Sequence, residues 1–405
     1  MTTTITKKKA YYFLWQIDVI GQLTTELLAL KSLFGDIYDL HIITTDPYKN
    51  SRVNFSVYEL LTRDIAVVLT DDIETIKFVH NHRRDEKAIG VHEYDDYVLI
   101  ALPPEKLVEY CIRKFGRFGW NYICRLNQYD QQKGKELKQA LGMPDDAKIV
   151  TLHIREGGYH SQMEQYYNIR NAEPGKYLQA IRYLVDQGYY LVRIGDKTMT
   201  PLPINDHRVI DAPFHPYYSD FFEPYFISES QFYVGMPSGP ETLAYIFDVA
   251  MLRTNGLLQW GGNGYYKGLV IYKHYWSQQL GRNLTYQELL TSPILNYNNP
   301  EQFALSGITL QENSEQEILQ SVQEIEQRVA NTYNPDKSID DRIEKINTIS
   351  DLYNKSHKPE FGTGWNMQEI SYMQISHEYI KLNPDFLGHE FVHSVTDPTH
   401  KLIHA

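Results

Sequence analysis

Residues 149–196 read IVTLHIREGGYHSQMEQYYNIRNAEPGKYLQAIRYLVDQGYYLVRIGD, and this stretch decides the fold class. Val150, Leu152 and Ile154 alternate with Thr151, His153 and Arg155, the period of a strand with two different faces. The alternation brings His153 and Arg155 together at the strand's carboxyl end. Tyr177, Ile181, Leu184 and Val185 then keep helical spacing, and YYLVRIG returns as a strand. This is a βαβ unit of an open parallel sheet, whose ligands sit outside the carboxyl ends of its strands. A fixed cation there suits an anion, most simply a phosphate.

Working outward, residues 1–145 alternate in the manner of a doubly wound domain. AYYFLWQID is a strand, and GQLTTELLALKSLFG an amphipathic helix ended by Gly35. DLHIITTD, IAVVLT and YVLIALP are further strands, with helices near SVYELLTR and DDIETIKFV. GKELKQALGMPDDAK closes this half with a helix, a glycine stop and a polar linker. The second half, 146–330, begins with the unit above; RVIDAP and QFYVGMPSG are later strands, and a charged helix runs from about Gln311 to Val329. Residues 331–405 read as a tail of helical character. The class is α/β: two Rossmann-like halves facing a cleft.

The size agrees, since 405 residues exceed one ordinary core. A net charge of −12 argues against nucleic acid or an anionic membrane as main partner, but leaves room for a small anion in a locally positive cleft. Cys111 and Cys124 are the only cysteines, too few for a disulfide framework, which fits a reducing cytoplasm. In MTTTITKKKAYYFLWQIDVIG the apolar run is short and broken by Gln16 and Asp18, so it reads as a first strand rather than a leader. No stretch is long and apolar enough to span a bilayer.

The second informative segment is GMPSGPETLAYIF, residues 235–247. Ser238 stands three residues before Glu241 with Pro240 between them, the pattern of a capping box with proline in the first turn. Its bland reading is a well-made helix start. Its functional reading is a helix N-terminus at a strand's carboxyl end: the free N–H groups around Ser238 and Gly239 would hold a diphosphate, and Glu241 would accept from ribose hydroxyls.

On these residues the chain resembles a bacterial family of glycosyltransferases from surface-polysaccharide loci. That family's pattern runs HIREGGYH, IRNA, a YL-AI-YL helix, RIGD with M-PLP, an SGP turn and a TN strand end. Here LHIREGGYH, NIRNAEPGKYLQAIRYL, VRIGDKTMTPLP, GMPSGPET and LRTN occur in that order. YWSQQLGRNLTYQELL, ITLQENSEQEILQSVQEIEQRV and LNPDFLGHE are similar to its later segments, and IGQLTTELLALK resembles the turn and first helix of its acceptor domains. A looser resemblance runs to GDP-fucose-dependent fucosyltransferases, whose HxRR motif puts an arginine on the donor phosphate. His153 and Arg155 match its first part, while Glu156 stands where the second arginine would be. The resemblance implies a GT-B fold, with a nucleotide-sugar donor on the C-terminal half and a hydroxyl acceptor (glycan, lipid-linked intermediate or protein) on the N-terminal half.

The expected donor-binding residues are His153, Arg155, Arg170, Asp196, Ser238, Gly239 and Glu241. Arg170 and Arg193 read either as diphosphate supports or as salt-bridged structural arginines, the latter for Arg193 within its strand. Asp196 reads first as a turn former and second as a sugar-hydroxyl ligand. Candidate catalytic groups are Glu156 and His160 in the loop after the strand, and Asp18 as acceptor-side base. HEFVH, residues 389–393, matches the zincin signature H-E-x-x-H but lacks the metzincin extension, and Pro398 breaks the tail that carries His400 and His404. Asp71–Asp72 and Asp95–Asp96 read as solvated or capping carboxylates. No GxxxxGK[ST] loop occurs.

The expectation is therefore a metal-independent cytoplasmic glycosyltransferase without cofactor, at most peripheral to the inner membrane. It would bind no nucleic acid, would not be an integral membrane protein, and is compatible with a homo-oligomer. The competing readings are a non-catalytic nucleotide-sugar-binding scaffold of the same fold and a zinc hydrolase built on HEFVH.

Overall fold

The computed structural model describes residues 7–82, 85, 87, 89–115, 124–159, 164–258, 267–356 and 373–388. His160 and the HEFVH segment lie outside the described residues.

The first sheet holds β1 (Lys9–Phe13), β2 (Asp39–Thr44), β3 (Ala66–Leu69), β4 (Gly90–Glu93) and β5 (Tyr97–Ala101). Their spatial order is β3-β2-β1-β5-β4. Every neighbour runs parallel except β4, which is antiparallel to β5. Ala10 and Tyr12 of β1 are fully buried, and the Tyr12 hydroxyl donates to Glu26 at 2.8 Å on the helix Ile20–Phe34. That helix ends where expected. Gly35 keeps right-handed backbone, and a Cβ there would lie 2.7 Å from the Lys31 carbonyl oxygen, so close approach selects the glycine. In this half, β4, a polar edge strand without an apolar run, and the helix Pro104–Phe115 went unread in the sequence.

The second sheet is parallel throughout: β6 (Ile149–Leu152), β7 (Tyr190–Arg193), β8 (Val209–Asp211), β9 (Ser230–Gly235), β10 (Met251–Gly256), β11 (Gly268–Tyr272) and β15 (Gln374–Ile375). Its order is β15-β11-β10-β9-β6-β7-β8. The residues of β6, β10 and β11 are buried along their whole length, as expected for a parallel sheet covered on both faces. A small antiparallel sheet of β12 (His274–Ser277), β13 (Arg282–Asn283) and β14 (Ile308–Gln311) is appended, in the order β13-β12-β14. The helix Glu315–Val329 starts at Ser314 with a complete capping box to Glu317. The tail is not only helical. It carries the helix Lys337–Ser356 and then β15, a strand of two residues too short to leave a periodic signal.

The α/β class and the two Rossmann-like halves are thus present, and they touch at several points. Asn54 Nδ2, at the start of the helix Phe55–Thr62, donates to the Asp220 carbonyl at 3.1 Å and to Glu223 at 3.2 Å. The Ser56 amide and hydroxyl each donate to the Asp220 carboxylate at 3.0 Å. The helix Gln128–Ala140 also lies against the second half: a Cβ on Gly134 would fall 1.8 Å from the Tyr225 ring.

Candidate functional site

β6 is an interior strand of the seven-stranded sheet, between β9 and β7. Beyond its last paired residue the chain continues extended, and the His153 amide still donates to the Val234 carbonyl at 2.9 Å. His153 and Arg155 both emerge at the carboxyl end of this strand and both are buried. The Arg155 guanidinium donates from Nη1 to the side-chain oxygen of Asn171 and, at 3.2 Å, to the Tyr167 carbonyl. Its backbone carbonyl accepts from Ala172 at 3.0 Å, so the IRNA segment is folded back over the strand end.

Burial first, then the guanidinium charges of Arg155 and Arg193, push the His153 imidazole down to about 3. It is neutral at physiological pH. Its Nδ1 is buried with no hydrogen-bond partner among the described residues, an uncommon state for a buried ring nitrogen.

Arg193, at the end of β7, is fully buried; its Nε lies 2.9 Å from Asp211 and its Nη1 3.8 Å from Glu156. Those contacts ion-pair it with two carboxylates. Glu156 also accepts from the Thr200 amide at 3.0 Å, which ties the REGG loop to the RIGD loop. Gly158 belongs to the same junction: it has a φ of +126°, and a Cβ there would meet Thr198 at 2.7 Å. Asp196 accepts from the Thr198 amide at 2.8 Å and from its hydroxyl, so it forms the turn its position suggested. Arg170 places its guanidinium 4.5 Å from the centre of the Tyr167 ring.

The capping box expected at Ser238 is not made, and this is a correction. The helix Glu241–Phe247 starts at Pro240 without a side-chain cap. Glu241 turns inward instead, accepting from Arg253 Nε at 2.9 Å and Nη2 at 3.1 Å, while the Tyr245 hydroxyl lies 2.6 Å from the same Nη2. Arg253 is 2% exposed on β10, and a buried guanidinium needs a carboxylate more than an accessible helix start needs a cap. Both oxygens of Glu241 are thereby engaged. Ser238 and Gly239 do border the other half, because Gly239 packs on Gly21.

On the N-terminal side Asp18 is ion-paired with Arg52. The Arg52 carbonyl receives the Tyr159 hydroxyl from the second half at 3.5 Å. Burial and the charges of Asp18, Asp196 and Glu223 raise the Tyr159 phenol, and the charge of Arg52 opposes them. The structure therefore brings Arg155 and Arg170 together around Tyr167, with His153 beside Arg155, and links Asp18 through Arg52 to Tyr159 of the second half.

Sequence reasoning missed three buried or bridging residues around these groups. Lys273 follows β11 and is buried, its Nζ donating to the Asn171 carbonyl at 2.7 Å. Its signal was available: GLVIYK is an apolar run with a cation at its carboxyl end, the pattern that singled out Arg155. Asn171 bridges Arg155 and Lys273. Glu223 is buried between the halves and pushed up to about 8, chiefly by burial.

No family model and no curated protein matches the chain. Among solved structures it is similar to a family 9 glycosyl transferase from Veillonella parvula DSM 2008, at 9% identity and TM-score 0.42, over 66% of this chain and 86% of that one. It is also similar to the E. coli ADP-heptose lipopolysaccharide heptosyltransferase II, at 10% identity and TM-score 0.41, over 65% and 90% of the two chains. A third is the iron-containing dodecameric glycosyltransferase TibC from enterotoxigenic E. coli H10407, at 13% identity and TM-score 0.37, over 81% and 77%.

Proposed function

We propose that the chain is a glycosyltransferase of GT-B type, moving a sugar from a nucleoside diphosphate sugar to a hydroxyl acceptor. Residues 146–330 would bind the donor and residues 1–145 the acceptor. The observation that carries this reading is Arg155: a buried guanidinium at the carboxyl end of an interior parallel strand, beside a neutral His153 whose Nδ1 has no hydrogen-bond partner among the described residues. Departure of a nucleoside diphosphate develops negative charge on the leaving phosphate, and a preorganised cation in a water-poor site stabilises it most. Arg155 supplies that charge, and the neutral imidazole adds a hydrogen-bonding group without a second full charge.

Acceptor activation requires a base from the facing half in an inverting reaction. Asp18 is the candidate, and its ion pair with Arg52 fixes where its carboxylate lies. The acceptor is a glycan, lipid-linked intermediate or protein, met in the cytoplasm or at the inner membrane surface. Among the described residues no helix is long and apolar enough to cross a membrane.

A second reading keeps the fold and the binding but not the turnover. It is favoured by one observation: Glu156, the acidic group closest in sequence to Arg155, is engaged by Arg193 and the Thr200 amide. Incubation with a panel of nucleotide sugars, following release of the nucleoside diphosphate with and without cell-derived acceptor, separates the two. Release supports the transferase, and binding without release supports the scaffold.

A further inference from the structure

We propose that Lys273 is the second cation of the anion site, held beside Arg155 by Asn171 and placed to share the charge of a bound diphosphate. This deepens the donor-site reading of Arg155 and rests on it. Asn171 grips both cations, accepting from Arg155 on its side-chain oxygen and from Lys273 on its backbone oxygen. β6 and β11 are separated in the sheet by β9 and β10, so only the folded-back IRNA loop brings the two charges together.

The ammonium has three donors, and among the described residues one is used, on a neutral carbonyl at 2.7 Å. Lys273 is 4% exposed, and no carboxylate among the described residues comes within ion-pair distance of it. The charged groups that face it are Arg155, Lys176 and Glu312, two cations against one carboxylate. Glu312 is shared elsewhere, accepting from the Glu173 amide at 2.9 Å and lying 3.6 Å from Lys176. His274, next in the chain, is turned to Glu317 at 2.8 Å. A fold that buries an ammonium next to a guanidinium incurs desolvation and repulsion together, and an anionic ligand offsets both.

Burial, with Lys176 and Arg155 adding to it, pushes Lys273 down to about 8. An arriving diphosphate favours the charged form, so binding near that pH draws a proton from solution onto Lys273. His153, at about 3, is not the group that takes it up.

The test is calorimetric titration of the full chain at pH 8 with UDP, GDP, ADP, CDP and TDP in turn, in Tris and in HEPES, whose ionisation heats differ. We expect the parent to take up a fraction of a proton with its best nucleotide. Lys273→Met, melting like the parent, should bind roughly ten- to a hundred-fold more weakly and without uptake. Lys273→Arg should bind within a few-fold of the parent, also without uptake, and it carries the test if the methionine variant does not fold. Parent-like affinity and uptake in these variants overturn the role of Lys273 and leave the donor-site reading standing. Failure of the parent to bind any of the five overturns both.

Discussion

Gly21 and Gly239 face each other across the boundary between the two halves, so closely that a Cβ on Gly21 would lie 3.1 Å from the Gly239 Cα. From the other side, a Cβ on Gly239 would lie 3.0 Å from the Gly21 nitrogen. Both obstructions are backbone, which does not swing aside as a side chain does. The first turn of the helix Ile20–Phe34 and the SGP turn before Glu241–Phe247 are therefore set in register by the absence of two methyl groups.

Gly21→Ala or Gly239→Ala should push the halves apart by a few tenths of an ångström and cost about 1–3 kcal/mol, as overpacking does. Because Arg155 and Asp18 lie on opposite sides of this boundary, turnover should fall more than stability. Thermal melting together with donor and acceptor kinetics checks this. Two alanine variants with parent-like melting and parent-like turnover would show that the contact sets no geometry.

Arg155→Ala should lower kcat/KM by roughly a hundred- to a thousand-fold, the scale of losing one charge-assisted partner of the transition state. Arg155→Lys should recover only part, because a lysine is a point charge without the planar fork that binds two phosphate oxygens at once. Nucleotide binding to the folded alanine protein decides the matter: affinity equal to the parent's would remove Arg155 from the donor site.

Glu223 should make the protein less stable as pH rises. The Tyr218 hydroxyl lies 2.7 Å from the Gly195 carbonyl and 3.2 Å from the Glu223 carboxyl. It has one proton to give, so a protonated Glu223 satisfies both contacts. With the folded value at about 8 and the ordinary carboxyl value at 4.5, the folded state binds more protons than the unfolded between those limits. Stability from this group is full below about 4.5 and is lost as pH rises through about 8. Glu223→Gln keeps a neutral, hydrogen-bonding side chain and should flatten this slope between pH 5 and about 8 in thermal or urea unfolding. An unchanged slope would mean that Glu223 is ionised in the folded protein.

Turnover should survive EDTA. Arg155 provides the charge at the diphosphate that a divalent ion supplies in metal-dependent transferases. Activity lost in EDTA and restored by magnesium or manganese would overturn this and direct attention to Asp71–Asp72 and Asp95–Asp96.

The sequence by itself determined the α/β class, the βαβ unit around β6 and the place of His153 and Arg155 at a strand's carboxyl end. Alternation and helical spacing are local consequences of backbone geometry, and they survive in any tertiary context that buries the same faces. The turn at Asp196 was legible for the same reason, since an Asp bonds to its own backbone two residues on. Tertiary structure alone decided the partners. Glu241 left its capping role because Arg253, on the next strand, is buried and needs its charge. Lys273 reached Arg155 only through the folding-back of Asn171, and Glu223 acquired its raised value only when the halves closed over it. Such pairings depend on which distant side chains are desolvated together, an energy that no spacing along the chain encodes.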